Sequence, residues 1–306
     1  MVAFPTETVY GLGASAFDGE AVTSIFEAKG RPSFNPLIIH VKDSDAAFKL
    51  GVQTEIATVL SSNFWPGPIT LVLNRHRKCQ VPMVTTAGLD KIALRVPSHC
   101  VAQKLLKFSG FPIAAPSANP SGCISPSTAH HVFTGLTGKI DLIIDDGPCE
   151  NGLESTIIDC SGSAPILLRP GSISRTSIEL ALKSAGLDCP LLYTDNVSHK
   201  DKPIATGQLQ SHYAPSAKVR LYATTPRKDE ELIGFGSIKG AGELQLSLSK
   251  SGNLREAAAN LFAMLHKVDA IISGTGRSIA IAPIPTDGVG EAINDRLRRA
   301  AAPRKT

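Results

Sequence analysis

The chain has 306 residues, 42% apolar and 19% charged, with a net charge of +4; this is the balance of a globular chain long enough for two domains. The charge is uneven: residues 1–190 hold 15 Lys/Arg against 16 Asp/Glu, and residues 191–306 hold 16 against 11. A near-neutral first half excludes a general nucleic-acid binder, no apolar run reaches bilayer length, and the opening residues do not read as a signal peptide.

In chain order, a strand over 2–4 enters a stretch rich in hydroxyls, with Glu7, Gly11 and Gly13, which reads as a loop. A helix over 19–29 follows, capped by Asp18, with Val22, Ile25 and Phe26 on one face and Gly30 at its end. Strands are expected over 37–41, 69–73, 92–96, 112–115, 142–144, 155–159 and 166–169. Helices are expected over 54–64, 100–108 and 177–185. Their irregular alternation, with strands in pairs, predicts a twisted mixed sheet with helices.

From about 190 to 218 the periodicity fails, amid Pro190, Pro203, Gly207 and Pro215, and this segment reads as a linker. Beyond it the pattern simplifies to strands over 219–222, 232–235, 244–248, 270–272 and 279–282, with helices over 253–268 and 290–302. The expected organisation is a first α/β domain over 1–189, a linker over 190–218, and a smaller doubly wound, Rossmann-like α/β domain over 219–306. The six cysteines show no CxxC or Cys/His spacing, which points to reduced packing residues in a cytoplasmic protein, not a disulfide framework or zinc site.

The chemistry-bearing residues are cations and hydroxyls. Lys29 and Arg31 flank Gly30 at a helix end, where basic residues are equally often simple dipole partners. Arg95 and Arg169 each end an apolar strand and precede a proline; each needs a partner, either an anionic ligand or an internal carboxylate such as Glu7 or Glu154. Thr6, Thr8, Ser117, Asn119, Ser125, Ser127, Ser155 and Thr156 recur at strand ends, where ligands of open α/β sheets collect. Singly, each is a turn or cap residue. No P-loop, nucleophile elbow, zinc-protease or kinase motif occurs, and no nucleophile stands beside a base. Such a site fits chemistry done by positioning and charge stabilisation, as in nucleotidyl transfer.

The segments FPTETVYGLGA, AKGRPSFNPLIIHV, WPGPITLVL, IALRVPSH, PIAAPSANPSG, ESTIID and LRPG occur in this order over most of residues 1–171. Together they resemble the threonylcarbamoyl-AMP synthases, which have the YrdC-like fold; SHYAP and AINDRLRRAAAPR resemble the long, two-domain form. The resemblance implies synthesis of L-threonylcarbamoyl-AMP from L-threonine, bicarbonate and ATP, with release of pyrophosphate. The product serves threonylcarbamoyladenosine modification of ANN-decoding tRNAs through separate transfer proteins. It implies that Thr8, His40, Arg95, Ser117 and Ser155 hold threonine, and that Arg31, Asn35, Asn119, Ser127, Arg169 and Tyr213 hold ATP. Lys29 and Arg31 would face the phosphates, with Mg2+ accompanying the triphosphate. Two departures stand out: a helix precedes the first strand in the family, and Ala205-Thr206-Gly207 stands where many members have Ser-Pro-Gly.

The competing expectation is a binding module that meets RNA, tRNA included, through Lys29, Arg31, Lys91 and Arg95. The neutral first half and the scarcity of aromatics oppose it. A second rival, a YrdC-like unit of a hydrogenase maturation protein, lacks here the zinc-finger and acylphosphatase modules of those chains.

Overall fold

The computed structural model describes residues 1–193, 207 and 211–303. The first domain is built on one ten-stranded mixed sheet. Its strands are β1 (Val2–Phe4), β2 (Gly11–Ser15), β3 (Ile38–His40), β4 (Ile69–Asn74), β5 (Lys91–Arg95), β6 (Ile113–Ala114), β7 (Leu142–Ile143), β8 (Thr156–Asp159), β9 (Ile166–Arg169) and β10 (Leu192–Tyr193). They lie in the order β10-β9-β8-β4-β5-β3-β6-β2-β1-β7. Six helices belong to this part of the chain: α1 (Gly19–Lys29), α2 (Ser44–Phe48), α3 (Glu55–Phe64), α4 (Cys100–Ser109), α5 (Ala129–Leu136) and α6 (Arg175–Ser184).

Local chemistry sets most of these boundaries. Asp18 accepts from the amides of Glu20 and Ala21 to start α1, and Gly30, at φ 60°, ends it in the left-handed conformation that glycine adopts without strain. Thr54 caps α3 in the same way, through the amide of Ala57.

The glycines of the opening stretch have a different role from the one expected. Residues 11–15 form a strand, not a loop, paired with β1 and β6. A Cβ on Gly13 would lie 2.8 Å from the ring of Phe4 and 2.9 Å from Ile113, so close packing between strands selects glycine there.

The second domain has a three-stranded parallel sheet, β11 (Val219–Arg220), β12 (Glu230–Ile233) and β13 (Ser278–Ile281), in the order β11-β13-β12. Two helices accompany it, α7 (Leu254–Ile272), capped by Asn253, and α8 (Gly290–Ala301). Two expected strands are absent. Residues 270–272 complete the last turn of α7, because its apolar stripe runs on through Val268 to the buried Ile272. Residues 244–248 make only an isolated bridge, Ser247 to Gly234, and no ladder.

The two domains share a core. Val9, Ile124, Leu153 and Tyr213 belong to the same buried cluster as Leu261, Phe262 and Leu265 of α7 and Ile293 of α8. Contact is tightest at Gly152, with φ 65°, where a Cβ would stand 2.5 Å from the Cα of Ala259. Among the described residues no helix is long and apolar enough to cross a membrane, and all six cysteines are free.

Candidate functional site

The ends of β3, β5 and β9, the loops after β1 and β6, the residues just before β8, and His212 and Tyr213 surround one cleft. Its empty space, mouth included, is about 450 Å³. It is a polar site assembled from segments far apart in sequence.

Arg95 forms the back wall. Its Nη2 donates to Oε1 of Glu7 at 2.6 Å and its Nη1 to Oγ1 of Thr8 at 2.9 Å, while its buried Nε has no hydrogen-bond partner among the described residues. Thr6 gives its own hydroxyl proton to the carbonyl of Val9, so in the 2.8 Å contact between the two hydroxyls Thr8 is the donor. The Thr8 hydroxyl is thus fixed from both sides. Burial pushes the Glu7 carboxyl up, but the Arg95 charge and hydrogen bond outweigh it and hold Glu7 below the usual carboxylate range. His40, next to Arg95, is brought down to about 3 by burial and then by that positive charge, so it is neutral, with Nδ1 buried and without a hydrogen-bond partner among the described residues.

Across the cleft, Arg169 donates through Nε and Nη2 to the carbonyl of Ser155, at 3.1 and 2.9 Å, and through Nη2 to its hydroxyl at 3.1 Å. The Ser155 hydroxyl is 2.7 Å from that of Thr70. Gly207 packs onto this wall: a Cβ there would lie 2.7 Å from the Tyr213 hydroxyl and 3.0 Å from Cδ of Arg169. Ala205 and Thr206, where the linker departs from the family, lie outside the described residues.

Lys29 and Arg31 stand beside the cleft, and both are buried. The Lys29 ammonium donates to the carbonyls of Ser117, at 2.5 Å, and of Asn119. Arg31 donates to the backbone and side-chain oxygens of Asn35, at 3.1 and 2.8 Å, and to the carbonyl of Pro36 at 2.8 Å. Both cations are therefore held by neutral oxygens. Burial lowers Lys29 well below the ordinary lysine value and brings Arg31 down to about 9, with neighbouring cations adding to each shift. His212 lies among four of these charges; burial, then Arg31, Lys29, Arg169 and Arg299, push its imidazole far down. A buried cation cluster of this kind is built for an anion.

Of the residues singled out from the sequence, Thr8, His40, Arg95, Ser117, Ser155, Arg169 and Tyr213 line the cleft. Lys29, Arg31, Asn35 and Asn119 form the adjoining cation wall, where Nδ2 of Asn119 donates to the carbonyls of Pro120 and Cys123. Ser127 is set apart, beside His131 of α5. Lys91 also points elsewhere, to Asp159 at 2.7 Å.

Sequence reasoning passed over Glu154 and His212 as site components. The sequence offers Glu154 only as one internal carboxylate that could pair with a buried arginine; its carboxylate takes Nε of Arg296, from α8, at 2.7 Å. His99, Cys100 and Asp146 converge elsewhere, with ligand atoms within 4.8 Å of one another. There His99 Nδ1 accepts from the amide of Val101 at 3.3 Å, and its Nε2 stands 3.7 Å from Asp146.

A family profile described as "Telomere recombination" matches residues 1–171, and one described as "Threonylcarbamoyl-AMP synthase, C-terminal domain" matches residues 173–302. The threonylcarbamoyl-AMP synthase of Pyrococcus abyssi is 43% identical over 98% of this chain and 90% of its own length; that of Bacillus subtilis is 40% identical over 99% and 90%. The crystal structure of P. abyssi Sua5 complexed with L-threonine superimposes with a TM-score of 0.86, at 41% identity, covering 98% of this chain and 90% of that one. A variant of the same protein with a histidine and a tyrosine changed to alanine matches with a TM-score of 0.85, at 38% identity over 98% and 88%.

Proposed function

This chain belongs to the threonylcarbamoyl-AMP synthases, and we propose that it is a nucleotidyltransferase of the cytoplasm that makes L-threonylcarbamoyl-AMP from L-threonine, bicarbonate and ATP. The single observation that carries this reading is the pairing of two subsites. One is the hydroxyl-lined cleft backed by Arg95; the other is the buried wall of Lys29 and Arg31, held by neutral oxygens. The first suits a small hydroxy amino acid with a carboxylate, and the second suits phosphates.

In this scheme Arg95, already oriented by Glu7, takes the threonine carboxylate. Thr8, Ser117 and Ser155 hold its polar atoms, and neutral His40 packs alongside. The threonine amine attacks bicarbonate and water leaves, giving a carbamate. A carbamate oxygen then attacks the α-phosphorus of ATP, and pyrophosphate departs. Lys29 and Arg31, with Arg169, stabilise the charge on the phosphoryl oxygens; Asn35 and Asn119 complete the nucleotide side, and Tyr213 closes over it. No covalent nucleophile is required.

Magnesium, when bound with ATP, neutralises phosphate charge. Both carboxylates at the cleft are engaged by arginines, Glu7 by Arg95 and Glu154 by Arg296. The described residues here therefore fit an ion held by phosphate oxygens and water, not one in a protein cage. The product would pass to separate proteins that modify ANN-decoding tRNAs. Lys29, Arg31 and Arg95 are buried and Lys91 is paired, so none of them offers a surface for an RNA backbone.

The test is to supply 13C-bicarbonate with threonine and ATP and analyse the nucleotide product by mass. A 13C-labelled threonylcarbamoyl-AMP is expected. Formation of AMP or ADP alone, unlabelled and indifferent to threonine, would reject the assignment.

A further inference from the structure

Arg296 of α8 carries polar contacts from the second domain to the cleft wall. It is 1% exposed, and its contacts with Glu154, Asp295 and Tyr213 lead back to the site. Its Nε donates to Oε2 of Glu154 at 2.7 Å, and the other oxygen of that carboxylate accepts from the Ser125 hydroxyl. Its guanidinium lies over the ring of Tyr213, 5.2 Å from the centroid, a cation–π distance. Its Nη1 donates to Asp295 at 2.7 Å. Asp295 in turn accepts from Nε of Arg299 at 3.1 Å, and the Arg299 carbonyl accepts from the amide of His212 at 3.3 Å. One turn of α8 thereby grips Glu154, His212 and Tyr213, three residues of the cleft wall contributed by two other segments.

Glu154 is the reason this grip matters. It is a carboxylate 6% exposed, in the wall of a cleft that would receive a threonine carboxylate, bicarbonate and a triphosphate. A bare negative charge there would repel all three and would compete for Arg169.

We infer that Arg296 is a positioning residue for the reaction: from the second domain it neutralises Glu154 and holds Tyr213 over the nucleotide side, so that anionic substrates can occupy the cleft. This rests on the function proposed above. It makes the second domain part of the site's electrostatics.

The experiment measures ATP and threonine affinity by calorimetry, and KM and kcat by pyrophosphate release, for the full chain and three variants. Arg296→Lys keeps a positive charge but loses the guanidinium that serves Glu154, Asp295 and Tyr213 together; KM for ATP is expected to rise about tenfold with kcat little changed. Arg296→Met strands the carboxylate, and a larger loss of ATP affinity is expected. Adding Glu154→Gln to Arg296→Met removes the stranded charge and should restore much of that affinity, which a purely structural role for Arg296 would not produce.

Unchanged KM and binding constants in Arg296→Lys would overturn the inference. So would the absence of recovery in the double variant, or failure of both single variants to fold. If the unmutated chain bound ATP without forming threonylcarbamoyl-AMP, the proposed function would fall, while calorimetry would still test the Arg296 contacts.

Discussion

Lys29 illustrates how one side chain serves structure and chemistry together. Its ammonium bridges the carbonyls of Ser117 and Asn119, so it ties the end of α1 to the loop after β6 while facing the anion wall. Removing it takes this donor from the Asn119 carbonyl and leaves the Ser117 carbonyl with the Asn119 amide at 3.1 Å. Lys29→Ala is expected to lower turnover by about 100-fold or more and to cost about 1–3 kcal/mol of stability. Parallel pyrophosphate-release and denaturation measurements check this; full turnover with a lowered melting temperature would make Lys29 structural only. Arg95 differs, since Glu7 anchors it. Arg95→Lys keeps the charge but cannot serve Glu7, Thr8 and a carboxylate at once, so threonine KM is expected to rise about tenfold or more. An unchanged threonine KM would contradict this.

Among the elements, α7 and α8 carry the contact between domains, and Gly152 marks where α7 presses against the first. Gly152→Ala would meet the α7 backbone 2.5 Å away in a left-handed conformation unfavourable to alanine. Its expected cost is about 1–3 kcal/mol, read as a lowered melting temperature; an unchanged one would mean the contact yields freely. The same junction holds the stacked pair of His131 from α5 and His266 from α7, with ring centroids 4.0 Å apart. Burial, then the charges of His266 and His130, bring His131 down to about 3. Burial also lowers His266, against its hydrogen bond to the Ser125 carbonyl and the charge of Asp269. Folding thus keeps both rings neutral, whereas the unfolded chain binds protons below the ordinary histidine value of 6.5. Stability from this pair should therefore fall as pH drops from about 6.5 toward 3. Melting curves across that range should slope less steeply in a His131→Gln, His266→Gln variant, and an identical slope would exclude the pair as a source.

How much of this was legible in the sequence follows from how local each signal is. Asp18 and Gly30 are read by their own backbone within a few residues, so the sequence predicts α1 with both its ends, whereas it predicts the extent of α3 without identifying Thr54 as its cap. The strand at 11–15 was not, because two glycines look like a loop until Phe4 and Ile113 are seen against them. The helices α2 and α5, of five and eight residues, are too short for their apolar periodicity to stand out. At the site, Arg95 and Arg169 were legible as charges in apolar strands. The Glu154–Arg296 pair was not, because it joins residues 142 apart in sequence and no local pattern announces such a contact.

For the whole molecule, the first domain with His212 and Tyr213 surrounds a cleft, backed by Arg296 of the second domain, whose charges are matched in layers. Glu7 and Glu154 are each neutralised by an arginine, and Lys29 and Arg31 are left to neutral oxygens. Burial raises the Glu154 carboxyl, but Arg296 and Arg169 pull it below its ordinary value, as Arg95 does for Glu7. These pairs contribute stability that is present above the unfolded carboxylate value of about 4.5 and is lost as pH falls through the lower folded values. Acid unfolding should therefore steepen below about pH 4.5, and Glu154→Gln should soften that limb. The central claim is that the cleft joins three substrates. Its most direct test is pyrophosphate release from ATP with L-threonine and bicarbonate each present or omitted. Release that requires both is the predicted result. Release that proceeds without threonine, or none with all three present, would contradict the account.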